Sequence, residues 1–316
     1  MTMAVFWNVL AIFLMTFVVA NIALSAFFSL VSQQLLRVEV GSRRVVLWFV
    51  VLLPWVVGFF LSLFIFQSFE YGDSLINAGL PHWHHMTDFA WSSWHGVTVG
   101  LGMLYLVYQV GVQLKRLLVH QREIGALLGF STCNQAGIYE IASDQAAAFS
   151  SGFWAKRCFV TTGLIDQLSP EEYAVVIQHE QAHLAANDPL KKWFFGFLAS
   201  FFIRPVSQRL TLHMTLAMEQ AADNAVQERG VSRLFVASTL VKIAKLNAEN
   251  RLLQREDLVV NFGADVLEQR VYFLLDKLTL EPVHKGITFV LVVLLVVLST
   301  SSVDGIHHVI ETFFSH

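Results

Sequence analysis

The 316-residue chain is too apolar for an ordinary soluble protein of its length, since 55% of its residues are hydrophobic, 14% are charged and its mean hydropathy is +0.56. This composition indicates that part of the chain lies in lipid. The 21 Lys and Arg residues are balanced by 24 Asp and Glu residues and form no basic tract, so we expect no direct nucleic acid binding.

Four apolar stretches predict membrane-spanning helices. They cover about residues 3–30, 45–66 and 94–114, and a fourth begins at Ile287. Each approaches or exceeds the length of about 20 apolar residues that a helix needs to cross a bilayer. The first is also too long for the apolar part of a secretory signal peptide. We therefore expect a mainly α integral membrane protein with about four transmembrane helices.

Basic residues beside these stretches predict the orientation of the chain. The first connection carries Arg37, Arg43 and Arg44, whereas the second, from residue 68 to residue 93, carries neither Lys nor Arg. Cytoplasmic connections are enriched in Lys and Arg. We therefore expect both termini to be external and the large block after the third stretch to be cytoplasmic.

These boundaries divide the chain into three parts. Residues 1–114 carry three transmembrane helices, residues 115–285 form a cytoplasmic domain, and residues 286–316 form the fourth helix and a short external tail. Cys133 and Cys158 both fall in the cytoplasmic part, where we expect free thiols. Because the chain has no CxxC pair, any metal ligands must be histidines and carboxylates.

The cytoplasmic part has the sequence pattern of an α+β domain. Residues 137–141 and 157–162 have the β-branched and aromatic character of strands, and residues 146–153 are a candidate edge strand. A helix is predicted to start at Ser169, which with Pro170 and Glu172 has the pattern of a capping box.

The motif HEQAH occupies residues 179–183 of this helix, which we expect to end at Asp188, just before a proline. His179 and His183 are four residues apart, so both imidazoles can reach one metal ion. Glu180 is placed to reach a metal-bound water instead, so the motif carries two ligands and a catalytic base. The pattern also arises by chance on amphipathic helices. Whether HEQAH is a metal site therefore depends on the other potential ligands in the sequence.

Two carboxylates on a second predicted helix, at about residues 208–229, are such candidates. Catalytic zinc takes three protein ligands and keeps one position for water, so two histidines need a further ligand. Glu219 and Asp223 lie four residues apart on one face of this helix. A buried Asp223 can accept a hydrogen bond from a ligand imidazole, whereas a solvent-exposed helix face would leave both carboxylates without such a role.

Two segments carry a resemblance to a known family. The run GFWAKRCFVTTGLIDQLSPEEYAVVIQHEQAHLAANDPLKKW, followed by MEQAAD, is similar to the membrane gluzincin peptidases of the bacterial β-lactam sensor-transducer family. The resemblance implies one Zn²⁺ held by His179, His183 and Glu219, with Glu180 as catalytic base and Asp223 as supporting acid. It also implies a zincin-type (gluzincin) metallopeptidase domain and a bacterial cytoplasmic (inner) membrane location.

The chain departs from that family near its end. Sensor-transducers continue after the last span into a penicillin-binding domain, and this chain stops shortly after it, so we expect no direct β-lactam sensing. A second family, the heat-shock-induced membrane metalloproteases, has an Asn-Asp pair similar to Asn187 and Asp188. Those proteins usually have membrane helices before the third ligand, whereas residues 193–203 are too short to span. This segment is either a buried core helix or one lying against the membrane.

Three functions are compatible with these features. The first is a regulatory protease that cleaves a cytoplasmic protein, by family analogy a winged-helix transcriptional repressor, after a signal arrives through the membrane. The second is a quality-control protease for membrane proteins. The third is a catalytically silent receptor or scaffold, and the intact set of site residues argues against it. The expected partners are a protein substrate and the lipid bilayer.

Substrate binding and oxyanion stabilisation have candidate residues too. The edge strand at residues 146–151 can hold an extended substrate by strand addition. His213 and Arg270 are candidates for stabilising the oxyanion, and the pattern assigns neither of them.

The external loop contains four histidines among several tryptophans, which favours an interfacial aromatic belt over a metal-sensing loop. They are His82, His84, His85 and His95.

Overall fold

A computed structural model describes residues 3–71, 86–251, 257–278 and 280–282, together with Val293 and Val297. Within these residues the chain is mostly helical, with nine α-helices, one 3-10 helix and one small mixed sheet. Apart from those two valines, the predicted fourth span and external tail lie outside the described residues. So do three histidines of the predicted external loop, His82, His84 and His85.

Among the described residues, three helices are long and apolar enough to cross a membrane: α1 (Met3–Val31), α2 (Val40–Tyr71) and α3 (Trp94–Gly129). All three were expected near these positions. The helix α3 continues past residue 114, where the apolar stretch was predicted to end, because Lys115 and Arg116 are good helix formers. The predicted domain boundary at residue 115 therefore falls inside a continuous helix.

The connection between α1 and α2 is tied to a distant part of the chain. It contains a 3-10 helix, Gln34–Arg37, and Val38 forms a parallel β-bridge with Glu281. The N–H of Glu39 donates to the carbonyl of Glu281 (3.0 Å), and the N–H of Glu281 donates to the carbonyl of Arg37 (2.8 Å). This short connection is thus held by main-chain hydrogen bonds.

The described sheet has the strand order β1-β2-β4-β3. Its strands are β1 (Ser131–Cys133), β2 (Ile138–Ile141), β3 (Ala148–Ser151) and β4 (Arg157–Thr161). β2 and β4 are parallel, and the outer strands are antiparallel to their neighbours. The three predicted strands are confirmed, including the edge position of β3, and β1 was not expected.

Six helices complete the described domain: α4 (Thr162–Gln167), α5 (Pro170–Ala185), α6 (Asp188–Ala199), α7 (Arg204–Gln227), α8 (Arg233–Arg251) and α9 (Asp257–Leu274). The capping box at the start of α5 is confirmed. The Ser169 hydroxyl accepts from the N–H of Glu172 (3.2 Å), and the Glu172 carboxylate accepts from the N–H of Ser169 (2.8 Å). This pair fixes where α5, and therefore HEQAH, begins.

The end of α5 differs from the prediction. The helix stops at Ala185 because Asn187 adopts a left-handed conformation with φ 57°. Asp188 therefore opens α6 instead of closing α5, and Pro189 occupies the first turn of α6, where its missing N–H costs nothing. The resulting sharp turn aims Asp188 back toward α5.

The segment predicted as either a core helix or a membrane-lying helix packs on α1 and α2 through its buried face. Phe195, Leu198 and Phe202 are buried against apolar side chains of α1, α2 and α7. The same cluster includes Phe28 of α1 and Leu47 of α2. The apolar core therefore runs without interruption from the membrane helices into the helices of the domain.

Candidate metal centre

Helices α5 and α7 bring two histidines and a glutamate together. The Nε2 atoms of His179 and His183 lie 3.2 Å apart. The Glu219 carboxylate approaches both, at 3.3 Å from His179 Nε2 and 3.7 Å from His183 Nε2. The side chains of His179, His183 and Glu219 are 11%, 8% and 23% exposed, so the cluster is mostly enclosed but reachable through its glutamate.

These distances suit a tetrahedral metal ion. Two ligands that each bind zinc at about 2.05 Å and are separated by the tetrahedral angle lie roughly 3.3–3.4 Å apart. Within the described residues, His179, His183 and Glu219 are the group of potential ligands whose donor atoms converge, all within 4.8 Å of one another. The set of two imidazoles and one carboxylate is also one that catalytic zinc uses.

Asp188 supports His183 from behind, a contact that the sequence did not predict. Its Oδ2 lies 2.8 Å from Nδ1 of His183 and accepts a hydrogen bond when that nitrogen is protonated. Such a bond leaves Nε2 of His183 free to bind a metal. The Asn187-Asp188 pair was the feature of the sequence that could have indicated this contact. The contact depends, however, on the left-handed turn at Asn187.

Asp223 stands in the corresponding position beside His179. Its Oδ1 lies 3.0 Å from Nδ1 of His179, although the two groups are not aligned as in an ideal hydrogen bond. The Asp223 side chain is completely buried. The structure thus places this carboxylate beside the ring nitrogen of His179 that faces away from the cluster.

Arg270, from α9, joins the two acids of α7. Its guanidinium donates to both Asp223 oxygens, at 2.9 and 2.7 Å, and lies 2.9 Å from Glu219. A guanidinium held by two carboxylates is poorly placed to stabilise an oxyanion. Its position indicates instead that Arg270 orients Glu219 and Asp223 and balances their charge.

The other oxyanion candidate, His213, lies elsewhere on α7. Its ring packs edge-on against Phe28 of α1, with ring centres 6.0 Å apart. Burial, with smaller effects from two arginines, lowers the pKa of His213 to about 4, so its imidazole is neutral at pH 7. Within the described residues no hydrogen bond or ion pair joins His213 to the metal-binding cluster.

The electrostatics of the cluster favour a cation. Burial lowers the pKa of His183, but its hydrogen bond to Asp188 and the nearby Glu219 outweigh burial and raise the pKa to about 10. Against burial, the two histidines and Arg270 lower the pKa of Glu219 well below its ordinary value. The Glu219 carboxylate is therefore ionised at neutral pH, and the site attracts positive charge, whether a proton or a metal ion.

Glu180 is half-buried and follows His179 on α5. Its side chain forms no hydrogen bond or ion pair within the described residues, so its carboxylate is free to act on a water or a substrate. Cys158 of β4 lies nearby, and burial, with a smaller effect from Glu180, raises the pKa of this thiol to about 12. Cys158 and the exposed Cys133 are both free thiols, as expected.

Residues 119–257 match the sequence pattern of Peptidase family M48, so this part of the chain is an M48 family domain. Members of this family are zinc metalloproteases. The match contains the whole of α5, α6 and α7, and with them the HEQAH motif, Asp188, Glu219 and Asp223. No solved structure matches the chain. The domain is thus a metallopeptidase domain that follows apolar helices.

Proposed function

We propose that the protein is a zinc-dependent membrane endopeptidase that cleaves a cytoplasmic or membrane-proximal protein. The observation that carries this proposal is the convergence of His179, His183 and Glu219 within a domain of a metallopeptidase family. The intact cluster also argues against a catalytically silent receptor or scaffold.

In this proposal His179, His183 and Glu219 hold one zinc ion and Glu180 is the catalytic base. A bound zinc ion supplies Lewis-acid activation of a water molecule and of the scissile carbonyl. Glu180 takes a proton from the attacking water at its carboxylate and passes it to the leaving amine. Asp223 orients the imidazole of His179 and keeps its Nδ1 protonated.

The edge strand β3 is the proposed docking site for the substrate backbone. Within the described residues β3 pairs with β4 alone, and it lies close to α5, which carries HEQAH. An extended peptide that adds to such an edge is held by main-chain hydrogen bonds. This mode positions a peptide bond through its main chain and leaves sequence preference to the side chains.

The role that the resemblance favours is regulatory proteolysis in the bacterial inner membrane. The similarity to sensor-transducer peptidases extends from about residue 149 to residue 223, and it indicates a winged-helix transcriptional repressor as substrate. The positions of Arg37, Arg43 and Arg44 support a cytoplasmic peptidase domain. The continuous core between α1, α2 and α6 provides a physical connection through which a membrane signal reaches the domain.

One observation favours quality control of membrane proteins as a second candidate. The Asn187-Asp188 pair resembles that of the heat-shock-induced membrane metalloproteases, and Asp188 is the hydrogen-bond partner of His183 in the cluster.

Quantitative proteomics that compares wild type with Glu180→Gln tests both candidates. We expect the variant to keep one zinc per chain, measured by elemental analysis, and to lose the ability to cleave its protein substrates. A small set of altered proteins supports regulation, and broad accumulation of misfolded membrane proteins supports quality control. Glu228→Gln, an exposed glutamate at the end of α7, is the matched control and should behave as wild type. Full cleavage by Glu180→Gln would refute the assigned base.

A further inference from the structure

The first turn of α2 reaches the candidate metal centre from the membrane side. We propose that this turn positions the metal-binding residues: Arg44 acts through Asp188 on His183, and Arg43 acts through Gln220 on α7. The affinity of the site for metal then depends on where the membrane helix α2 lies. This inference rests on the proposed function and adds a regulatory connection to the same site.

The contact of Arg44 is with the carboxylate that supports His183. Arg44 Nη2 lies 3.7 Å from Asp188 Oδ1, and the other oxygen of Asp188 lies 2.8 Å from His183 Nδ1. Asp188 is 5% exposed, and its Oδ1 has no hydrogen-bond partner within the described residues. A buried carboxylate needs a compensating charge. Arg44 is the cation that lies next to this oxygen, so it compensates the charge of Asp188 and holds the carboxylate in place.

The contact of Arg43 is with the residue that follows Glu219. Arg43 is 1% exposed, and its guanidinium donates to the side-chain oxygen of Gln220, which is also 1% exposed. The amide nitrogen of Gln220 in turn lies 3.5 Å from the carbonyl oxygen of Gln269, next to Arg270. One membrane-helix arginine therefore meets α7 beside its metal-binding glutamate and, through Gln220, approaches α9 beside Arg270.

These two arginines do more than mark the cytoplasmic end of a membrane helix. Orientation by positive charge alone needs no buried guanidinium, yet Arg43 is buried against α7, where the neutral side chain of Gln220 accepts its hydrogen bond. Arg37 lies in the same connection and carries the same charge, yet it is exposed and forms no ion pair within the described residues. Arg37 therefore offers a matched control for loss of charge without loss of the contacts.

The decisive measurement is zinc affinity of the full chain in detergent micelles, determined by competition with a chromogenic chelator. We expect Arg44→Gln to weaken zinc binding about 3- to 10-fold. This loss is smaller than the roughly 10- to 100-fold loss expected when a direct hydrogen-bond partner of a ligand histidine is removed. Arg37→Gln should bind zinc as wild type does, and Arg44→Lys, which keeps the cation, should recover most of the affinity. The visible absorption of the Co²⁺-substituted protein should change in Arg44→Gln and not in Arg37→Gln.

A double-mutant cycle identifies the route. If Arg44 acts through Asp188, Arg44→Gln should cause little further loss of zinc affinity, less than about 2-fold, in an Asp188→Asn background. An equal loss in both backgrounds overturns the route, and unchanged affinity in Arg44→Gln overturns the role of Arg44. If the wild type itself fails to bind zinc, the proposed function falls, and the inference falls with it.

The contact of Arg43 is tested separately, because a buried residue also affects folding. Arg43→Met should weaken zinc binding and also lower the midpoint of denaturant unfolding of the metal-free chain. Zinc affinity equal to that of Arg37→Gln would remove Arg43 from the proposal.

Discussion

The two ligand histidines of the proposed site are supported by two carboxylates in unlike surroundings. Asp223 is fully buried and shares the guanidinium of Arg270 with Glu219. Asp188 is nearly buried as well, but its charged neighbour is the partly exposed Arg44. The two acids should therefore matter equally for metal binding but unequally for folding.

Replacing each carboxylate by its amide tests this difference. We expect Asp188→Asn and Asp223→Asn each to weaken zinc binding about 10- to 100-fold, because each removes the charge of the carboxylate beside Nδ1 of a ligand imidazole. Asp223→Asn should also destabilise the metal-free protein by about 2 kcal/mol or more, since Arg270 loses a buried ionic partner. Chelator competition and denaturant unfolding measure the two effects. Equal destabilisation by both variants would contradict the assigned role of Arg270.

At the scale of elements, α5 depends on how it begins. Glu172 closes the capping box with Ser169 and also accepts a hydrogen bond from Lys242 of α8, at 2.6 Å. The hydrogen bond from Lys242, with that from the Ser169 N–H, lowers the pKa of Glu172. The Glu172 carboxylate thus caps the N-terminus of α5 and also links α5 to α8.

This arrangement predicts a pH-dependent stability. Because the folded pKa lies below the ordinary value of 4.5, the stabilisation is complete above about pH 4.5 and is lost as pH falls through the lowered pKa. Glu172→Gln keeps a capping side chain but removes the charge, which should cost about 0.5–1 kcal/mol at pH 7, as the ion pair is partly exposed. Thermal unfolding of the metal-free chain should show the two proteins converging at low pH. A difference in stability between the two proteins that does not change with pH would mean that the charge of Glu172 is not its cause.

For the molecule as a whole, the membrane helices and the peptidase helices share one apolar core. The buried face of α6 packs on α2, and aromatic side chains continue the contact, with Phe201 touching Phe17 and Trp55 at ring distances of 5.6 and 5.1 Å. The peptidase domain is therefore not an independent unit attached to a membrane anchor. Removing α1 and α2 would expose Phe195, Leu198 and their neighbours to water.

A truncated chain that begins at residue 115 tests this dependence. It lacks α1, α2 and the arginines of their connection, so we expect it to aggregate and to bind zinc weakly, because an apolar patch is exposed. Size-exclusion chromatography and chelator competition measure the two properties. A monodisperse fragment with wild-type zinc affinity would contradict both the shared core and the role of the α2 arginines.

Features that depend on neighbouring residues are readable from the sequence. The one-turn separation of His179 and His183, the capping box at Ser169 and the apolar stretches each follow from spacing within a single element. Local spacing is enough in these cases because helix geometry converts it directly into a shared face, a capped end or a membrane-length helix. The same reasoning locates Glu219 and Asp223 on one face of α7, although not their distance from α5.

Contacts between distant elements are not readable in this way. From the sequence Arg270 was a candidate for stabilising the oxyanion, and only the packing of α9 against α7 shows that it faces two carboxylates. Asp188 reads as the end of a helix until the left-handed turn at Asn187 sends it back to His183. Arg44 reads as a marker of membrane orientation until α2 is packed against α6. In each case the partner is remote along the chain, so the packing of whole helices determines the chemistry of the side chain.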